Sequence, residues 1–291
     1  MLCVDGRSKA LSSFPQTRRP LTAGMRRILL LAGGLVFLAG FQLFVLTEQT
    51  EHYFAWTIQP HITAAFLGAA YWASFALQVL ASREKWWDRT RIAIPTILIF
   101  TVMTLAATFL HIDRFHFNSL EPIARFAAWF WLAIYVLVPP LMLVLLYRQL
   151  SVPGEDQPRV RNLPVWLRGL LGIHSIILLG VGASLFLAPQ IANVVWPWKL
   201  TPLTARAVAA WLIGLGIGAG QGVYENEFAR LRVAMISYTL FGLLEFLTLL
   251  RYWTSIEWMA IQSWLYVGFL ATVLVVGVSG WRARVGQRNN G

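Results

Sequence analysis

The chain has 291 residues, of which 57% are hydrophobic and 13% charged, and its mean hydropathy is +0.61. Soluble domains carry roughly 25% charged residues, and a soluble fold of this length could not bury so much apolar surface, which points to a polytopic membrane protein. The formal net charge is +11, yet this composition excludes a soluble nucleic-acid-binding domain, a disordered chain, a collagen-like repeat and a disulfide scaffold. The single cysteine, Cys3, permits no intramolecular disulfide and no cysteine metal site.

Residues 1–24 carry Arg7, Lys9, Arg18 and Arg19, lack helical periodicity and contain Pro15 and Pro20. They read as a disordered basic cytoplasmic tail. The alternative is a start at Met25, just before Arg26-Arg27. No cleavable signal peptide stands in the usual place, because the first apolar run is itself long enough to span.

A transmembrane helix needs about 20 mostly apolar residues. Eight runs qualify, at about 28–46, 62–82, 92–111, 124–146, 168–188, 204–223, 232–251 and 260–280. Hydrocarbon forbids unpaired backbone groups, so each should be helix. The alternating segments of a barrel are missing. Alternate connections, together with both tails, hold 19 of the 24 basic residues, and the opposite side holds only Arg114, Arg125, Lys199, Arg206 and Arg251. The positive-inside rule then places both termini in the cytoplasm, in a bacterial-type cytoplasmic (inner) membrane. Trp56, Trp196, Trp198, Trp253 and Trp258 fall near the outer span ends, and Trp86, Trp87, Trp166 and Trp281 near the inner ones, as an interfacial aromatic belt would.

The two halves resemble each other. Trp56, Pro60 and Thr63-Ala64 align with Trp198, Pro202 and Thr204-Ala205, and Arg89-Thr90-Arg91-Ile92-Ala93 aligns with Arg230-Leu231-Arg232-Val233-Ala234. The expected architecture is therefore an all-α membrane protein of two parallel four-helix repeats (4+4), residues 25–147 and 168–282. A cytoplasmic linker, 148–167, joins them, and 283–291 forms a C-terminal tail. Four spans per repeat keep both in one orientation, so the pseudo-twofold axis runs along the membrane normal. In the Trp…Pro element, the Trp anchors at the interface, the Pro opens a helix, and Thr63 and Thr204 cap or solvate its first turn.

Chemistry-bearing residues are few. His111, Asp113 and His116 lie within six residues at an outer span end. Imidazoles with a carboxylate suit zinc or another divalent metal, although wet interfacial histidines explain them as well. Haem would need paired axial histidines, and only His174 lies clearly inside a span, which argues against it. Glu245 sits among Leu243-Leu244 and Phe246-Leu247, a costly place for a carboxylate. Arg206 and Arg125 open spans six and four. The repeat alignment sets Thr104 opposite Glu245 and Ala65 opposite Arg206. Spans six and seven should be antiparallel neighbours, and an Arg206–Glu245 pair is the expected structural role; an anion or proton site is the alternative, and Arg206 and Arg125 could equally snorkel to the interface. The glycines from Gly214 to Gly222 suit close helix packing, and Pro139-Pro140 should kink or break span four.

No nucleophile–base pair is visible, and the patterns His-Glu-x-x-His, Gly-x-Ser-x-Gly and the Walker lysine motif do not occur. Three functional readings follow. The first is a small-molecule or ion transporter or ligand-binding membrane protein, with the lipid bilayer and a small ligand as partners and no nucleic acid. The second is a non-catalytic membrane scaffold or assembly factor. The third is a membrane-embedded enzyme using the outer His/Asp cluster with a divalent metal. An enzyme is the less favoured class.

Overall fold

A computed structural model describes residues 18–285 of the chain. Eight long helices run Ala23–Phe44 (α1), His61–Arg83 (α2), Ala93–Leu110 (α3), Pro122–Leu150 (α4), Val165–Leu187 (α5), Pro202–Glu225 (α6), Phe228–Arg251 (α7) and Ile261–Val285 (α8). All eight are long and apolar enough to cross a membrane. The described residues contain no strand, only the isolated bridges Arg18–Glu155 and Pro20–Trp86. The protein is all-α, and its eight apolar helices fit a multi-pass membrane protein.

Local chemistry sets the helix ends. Thr22 caps α1, its hydroxyl accepting from the Met25 N–H at 3.3 Å. At α6, Thr201 is the cap and Thr204 answers from three residues on, so the two form a reciprocal capping box before the N1 proline, Pro202. Thr204 thus serves the first turn as expected. Its partner in the sequence pattern, Thr63, instead accepts from Trp198 Nε1 at 3.0 Å. Helix α6 ends at Asn226 in the left-handed region (φ 45°), which asparagine tolerates better than most residues.

Helix α1 packs on α2, α5 on α6, α7 on α8, and, less extensively, α3 on α4. The free flank of α2 is covered by α7, and that of α6 by α3. Helices α2 and α6 are therefore central. Their spans are 72% and 67% buried, against 22–33% for α1, α4, α5 and α8. Small residues make this closeness possible. A Cβ on Gly68 would stand 2.5 Å from the Phe44 nitrogen of α1. In α6, Gly214 and Gly218 face Thr96 and Phe100 of α3, while Gly216 and Gly220 face Leu179 and Ser175 of α5. The alternating glycines thin one helix on two sides, which is the packing role expected of them. The peripheral helices present Leu31, Leu38, Leu137, Ile176 and Leu265 outward, as lipid contact requires.

Several expectations are corrected. Helices α6 and α7, although joined by a two-residue connection, scarcely touch, and neither do α2 and α3. The flanks of α6 are already taken by α3 and α5, and those of α7 by α2 and α8. Neither half is thus a closed four-helix bundle. Helix α4 runs unbroken through Pro139-Pro140. Trp56, Trp196 and Trp198 are buried rather than anchored at an interface. The α1–α2 and α5–α6 connections fold in over the helix ends, carrying Phe54, Ala55, Trp56 and Ile58 inside. Trp253 and Trp264 remain exposed.

The expected tail is ordered from Arg18 onward. Arg18 forks onto Asp88 at 2.7 and 3.0 Å, the Leu21 N–H donates to the Lys85 carbonyl at 2.9 Å, and the Trp87 N–H donates to the Arg19 carbonyl at 3.1 Å. Residues 1–17, with Cys3, and residues 286–291 of the C-terminal tail lie outside the described residues.

Candidate functional site

Polar side chains gather at two levels, one toward the Arg206 end of the bundle and one at the end that carries most of the basic residues. At the Arg206 end, Glu245 of α7 is fully buried. Its Oε2 accepts from the Tyr266 hydroxyl of α8 at 3.0 Å, and its Oε1 has no partner among the described residues. Tyr266 packs against Trp196 and Trp198, with ring centroids 5.5 and 5.7 Å away. Trp196 Nε1 and, one turn along α7, Thr248 Oγ1 are likewise buried without partners. Most buried polar groups are hydrogen-bonded, so the unpartnered oxygen of a fully buried carboxyl marks a place where a donor is wanted.

Arg206 does not supply that donor. Its Nε donates to the Phe186 carbonyl at 3.0 Å and its Nη1 to His111 Nε2 at 2.6 Å. The guanidinium closes the C-terminal end of α5, where a cation suits the exposed carbonyls and the helix dipole. The expected Arg206–Glu245 pair is therefore not formed, because α6 and α7 diverge. Arg251 performs the same service for α1, donating to the Phe44 carbonyl at 2.6 Å and to Thr47 Oγ1 at 3.1 Å. Arg125 is exposed, with no side-chain partner among the described residues, as snorkelling would leave it. Thr104, opposite Glu245 in the sequence alignment, is buried with an unpartnered hydroxyl.

The expected metal cluster is not assembled. No group of three or more His, Cys, Asp or Glu residues suited to a metal occurs among the described residues. His111 Nε2 is held by Arg206, while His116 uses Nε2 on Thr57 Oγ1 and Nδ1 on the Phe54 carbonyl, both at 3.0 Å, and Asp113 pairs with Arg114. Proximity in sequence does not converge here because the three fall on a helix end and a tight turn, each turned to a different neighbour. Burial, and next the positive Arg206, push the His111 pKa below its ordinary value. The ring is then neutral and accepts from the guanidinium through Nε2. His174 joins three helices: the Tyr238 hydroxyl of α7 lies 3.0 Å from Nδ1 and Thr272 Oγ1 of α8 lies 2.8 Å from Nε2.

The second level was missed in the sequence. Glu225, the last residue of α6, is 1% exposed and receives Arg91 Nε and Nη2 at 2.5 and 2.7 Å and Arg230 Nη1 at 2.9 Å. Arg91 Nη1 continues to the carboxylate of Asp156, and Arg230 Nη2 to the Gln157 carbonyl at 2.6 Å. Burial works against the Arg91 charge, but Glu225 and Asp156 outweigh it and raise its pKa. Glu84, just beyond α2, lies between Arg89 at 4.0 Å and Arg232 at 3.9 Å. The signal was legible: Glu84 and Glu225 are each followed by Arg five and seven residues later. In both clusters the glutamate meets the nearer Arg of its own segment and the farther Arg of the other.

Comparison with protein-family models, curated proteins and solved structures finds no match to this chain.

Proposed function

We propose that this protein binds a small molecule or ion within the membrane, as a transporter or ligand-binding protein, with Glu245 as the contact residue. One observation carries the reading: Glu245 is fully buried, bonded through one oxygen to Tyr266 and unpartnered at the other. A carboxyl in such surroundings costs several kcal/mol unless a donor or a proton is supplied. The free oxygen suits an ammonium, a hydroxyl or a transported proton. The metal-enzyme reading loses its basis with the dispersal of His111, Asp113 and His116, and a scaffold has no use for an unsatisfied buried carboxyl. Native mass spectrometry of gently extracted protein tests the proposal. A small molecule retained by the wild type and lost from Glu245→Gln supports it. A wild type that carries none, and whose thermal stability and proton permeability in proteoliposomes match those of Glu245→Gln, leaves the scaffold reading.

We further propose two parallel four-helix repeats, 25–147 and 168–282, joined by the 148–167 linker, with both termini in the cytoplasm of a bacterial-type inner membrane. In support, α2 packs on α7 as α6 packs on α3, the two central helices hold equivalent places, and the Glu84 and Glu225 clusters exchange arginines reciprocally. The 19-to-5 division of basic residues sets the orientation. Reporter fusions after residue 155 should read as cytoplasmic and fusions near residue 118 should not; the reverse pattern overturns the orientation.

A further inference from the structure

The two Glu/Arg clusters differ in tightness and in what satisfies the outward-pointing donors. Around Glu225, the donors that point away from the glutamate are satisfied by the linker: the Asp156 carboxylate takes Arg91, and the Gln157 carbonyl takes Arg230. Around Glu84, no described segment stands in that place. A cleft of about 440 Å³ opens there, lined by Arg83, Glu84, Lys85, Trp86, Arg89 and Arg232 among others. It holds four cationic side chains against one carboxylate. Arg89 and Arg232 reach only Glu84, at 4.0 and 3.9 Å, and Arg89 Nε is buried with no partner. Arg91 and Arg230, at the same places in the sequence pattern, make close bonds to two carboxylates and a carbonyl.

We propose that the Glu84 cleft binds a phosphate-type oxyanion, which occupies the position that Asp156 fills in the other cluster. Arg232 takes the part of Arg91 and Arg89 that of Arg230, each offering a planar fork to the phosphate oxygens. Glu84 sets the spacing of the two forks and limits affinity by its own charge. The volume exceeds that of a bare phosphate, so the cleft has room for a phosphate ester. It lies at the end of the bundle that carries the basic connections, level with the span ends. Both a lipid headgroup and a soluble phosphate can reach it there.

The test uses the full chain in mild detergent, melted in inorganic phosphate and in chloride at matched ionic strength. Native mass spectrometry follows extraction from membranes containing phosphatidylglycerol. Phosphate should raise the melting temperature of the wild type, with apparent affinity weakened about tenfold in Arg89→Gln and Arg232→Gln, the loss expected for one charge-assisted bond. Glu84→Gln should bind phosphate several-fold more tightly, and this gain stands even if an arginine variant folds poorly. A phosphatidylglycerol adduct on the wild type that is absent from the Arg89→Gln/Arg232→Gln double variant identifies the source as lipid. Stabilisation by phosphate with no adduct identifies it as soluble. A wild type that neither responds to phosphate nor retains lipid overturns the proposal, as does a response undiminished in the double variant.

Discussion

Replacing Glu225 by Gln should destabilise the protein far more than the same change at Glu84. The Glu225 carboxylate is 1% exposed and receives three charge-assisted bonds of 2.5–2.9 Å, from Arg91 (side chain 20% exposed) and Arg230 (7%). Removing one partner of a buried ion pair costs about 3–5 kcal/mol, because the stranded charges stay buried. Glutamine keeps one acceptor oxygen and Arg91 retains Asp156, so we place the loss near the lower end, about 3 kcal/mol. For a chain of this size that corresponds to roughly 10 °C in melting temperature. Glu84 is 14% exposed, and its nearest cationic nitrogens lie 3.9 and 4.0 Å away; such loose pairs are worth about 0–1 kcal/mol. The assay is thermal unfolding of both variants in mild detergent without phosphate. Adding Arg230→Gln to Glu225→Gln should recover part of the loss, since Arg230, left with only the Gln157 carbonyl, is the stranded guanidinium. Equal losses from the two single variants, or further loss in the double variant, would show that the Glu225 cluster does not work as a buried network.

Two further perturbations address packing and protonation. Gly68→Ala should cost about 1–3 kcal/mol through overpacking against the α1 backbone, 2.5 Å from the new Cβ. Gly34→Ala, with nothing within 4 Å, should be neutral or gain up to about 1 kcal/mol of helix propensity; equal effects in thermal melts would refute the close α1–α2 approach. The folded-state pKa of His111 is lowered, so between that value and the ordinary 6.5 the unfolded chain holds more protons than the folded one. Stability contributed by His111 is then full above pH 6.5 and declines as pH falls below it. His111→Gln should flatten the acid side of the melting-temperature profile relative to the wild type, and Arg206→Gln should flatten it partly; an unchanged profile in His111→Gln would refute the assignment.

The spans were legible because hydropathy reports what hydrocarbon accepts. The run at 62–82 becomes His61–Arg83 and that at 204–223 becomes Pro202–Glu225, each helix extending one or two residues past its apolar run at both ends. Partners were not legible. Arg206 meets His111 across 95 residues of sequence, a meeting set by α6 lying between α3 and α5. Trp198 reads in sequence as an interfacial anchor, since a tryptophan at a span end looks the same whether its loop stands in the headgroups or folds inward onto Thr63. The two span-end glutamates were less legible for a different reason: hydropathy singles out an acid surrounded by leucines, such as Glu245, and not one at the end of a span, although the common spacing from Glu84 and Glu225 to their arginines is present in the sequence.

The cross-packing of α2 on α7 and of α3 on α6 has a consequence for biogenesis. When α2 leaves the ribosome, α1 is already available for one of its faces, but the surface that will receive α7 waits until residues 228–251 have been synthesised. Helix α3 waits similarly for α6. During that interval a first half already inserted in the bilayer holds Ser74 and Gln78 on α2 and Thr104 on α3, two helices whose final neighbours are incomplete. Insertion and assembly are thus separated in time. An insertase or membrane chaperone that shields intramembrane polar surface would act on this chain between the fourth span and the seventh, and a nascent protein stalled within the linker would be a substrate for membrane quality control.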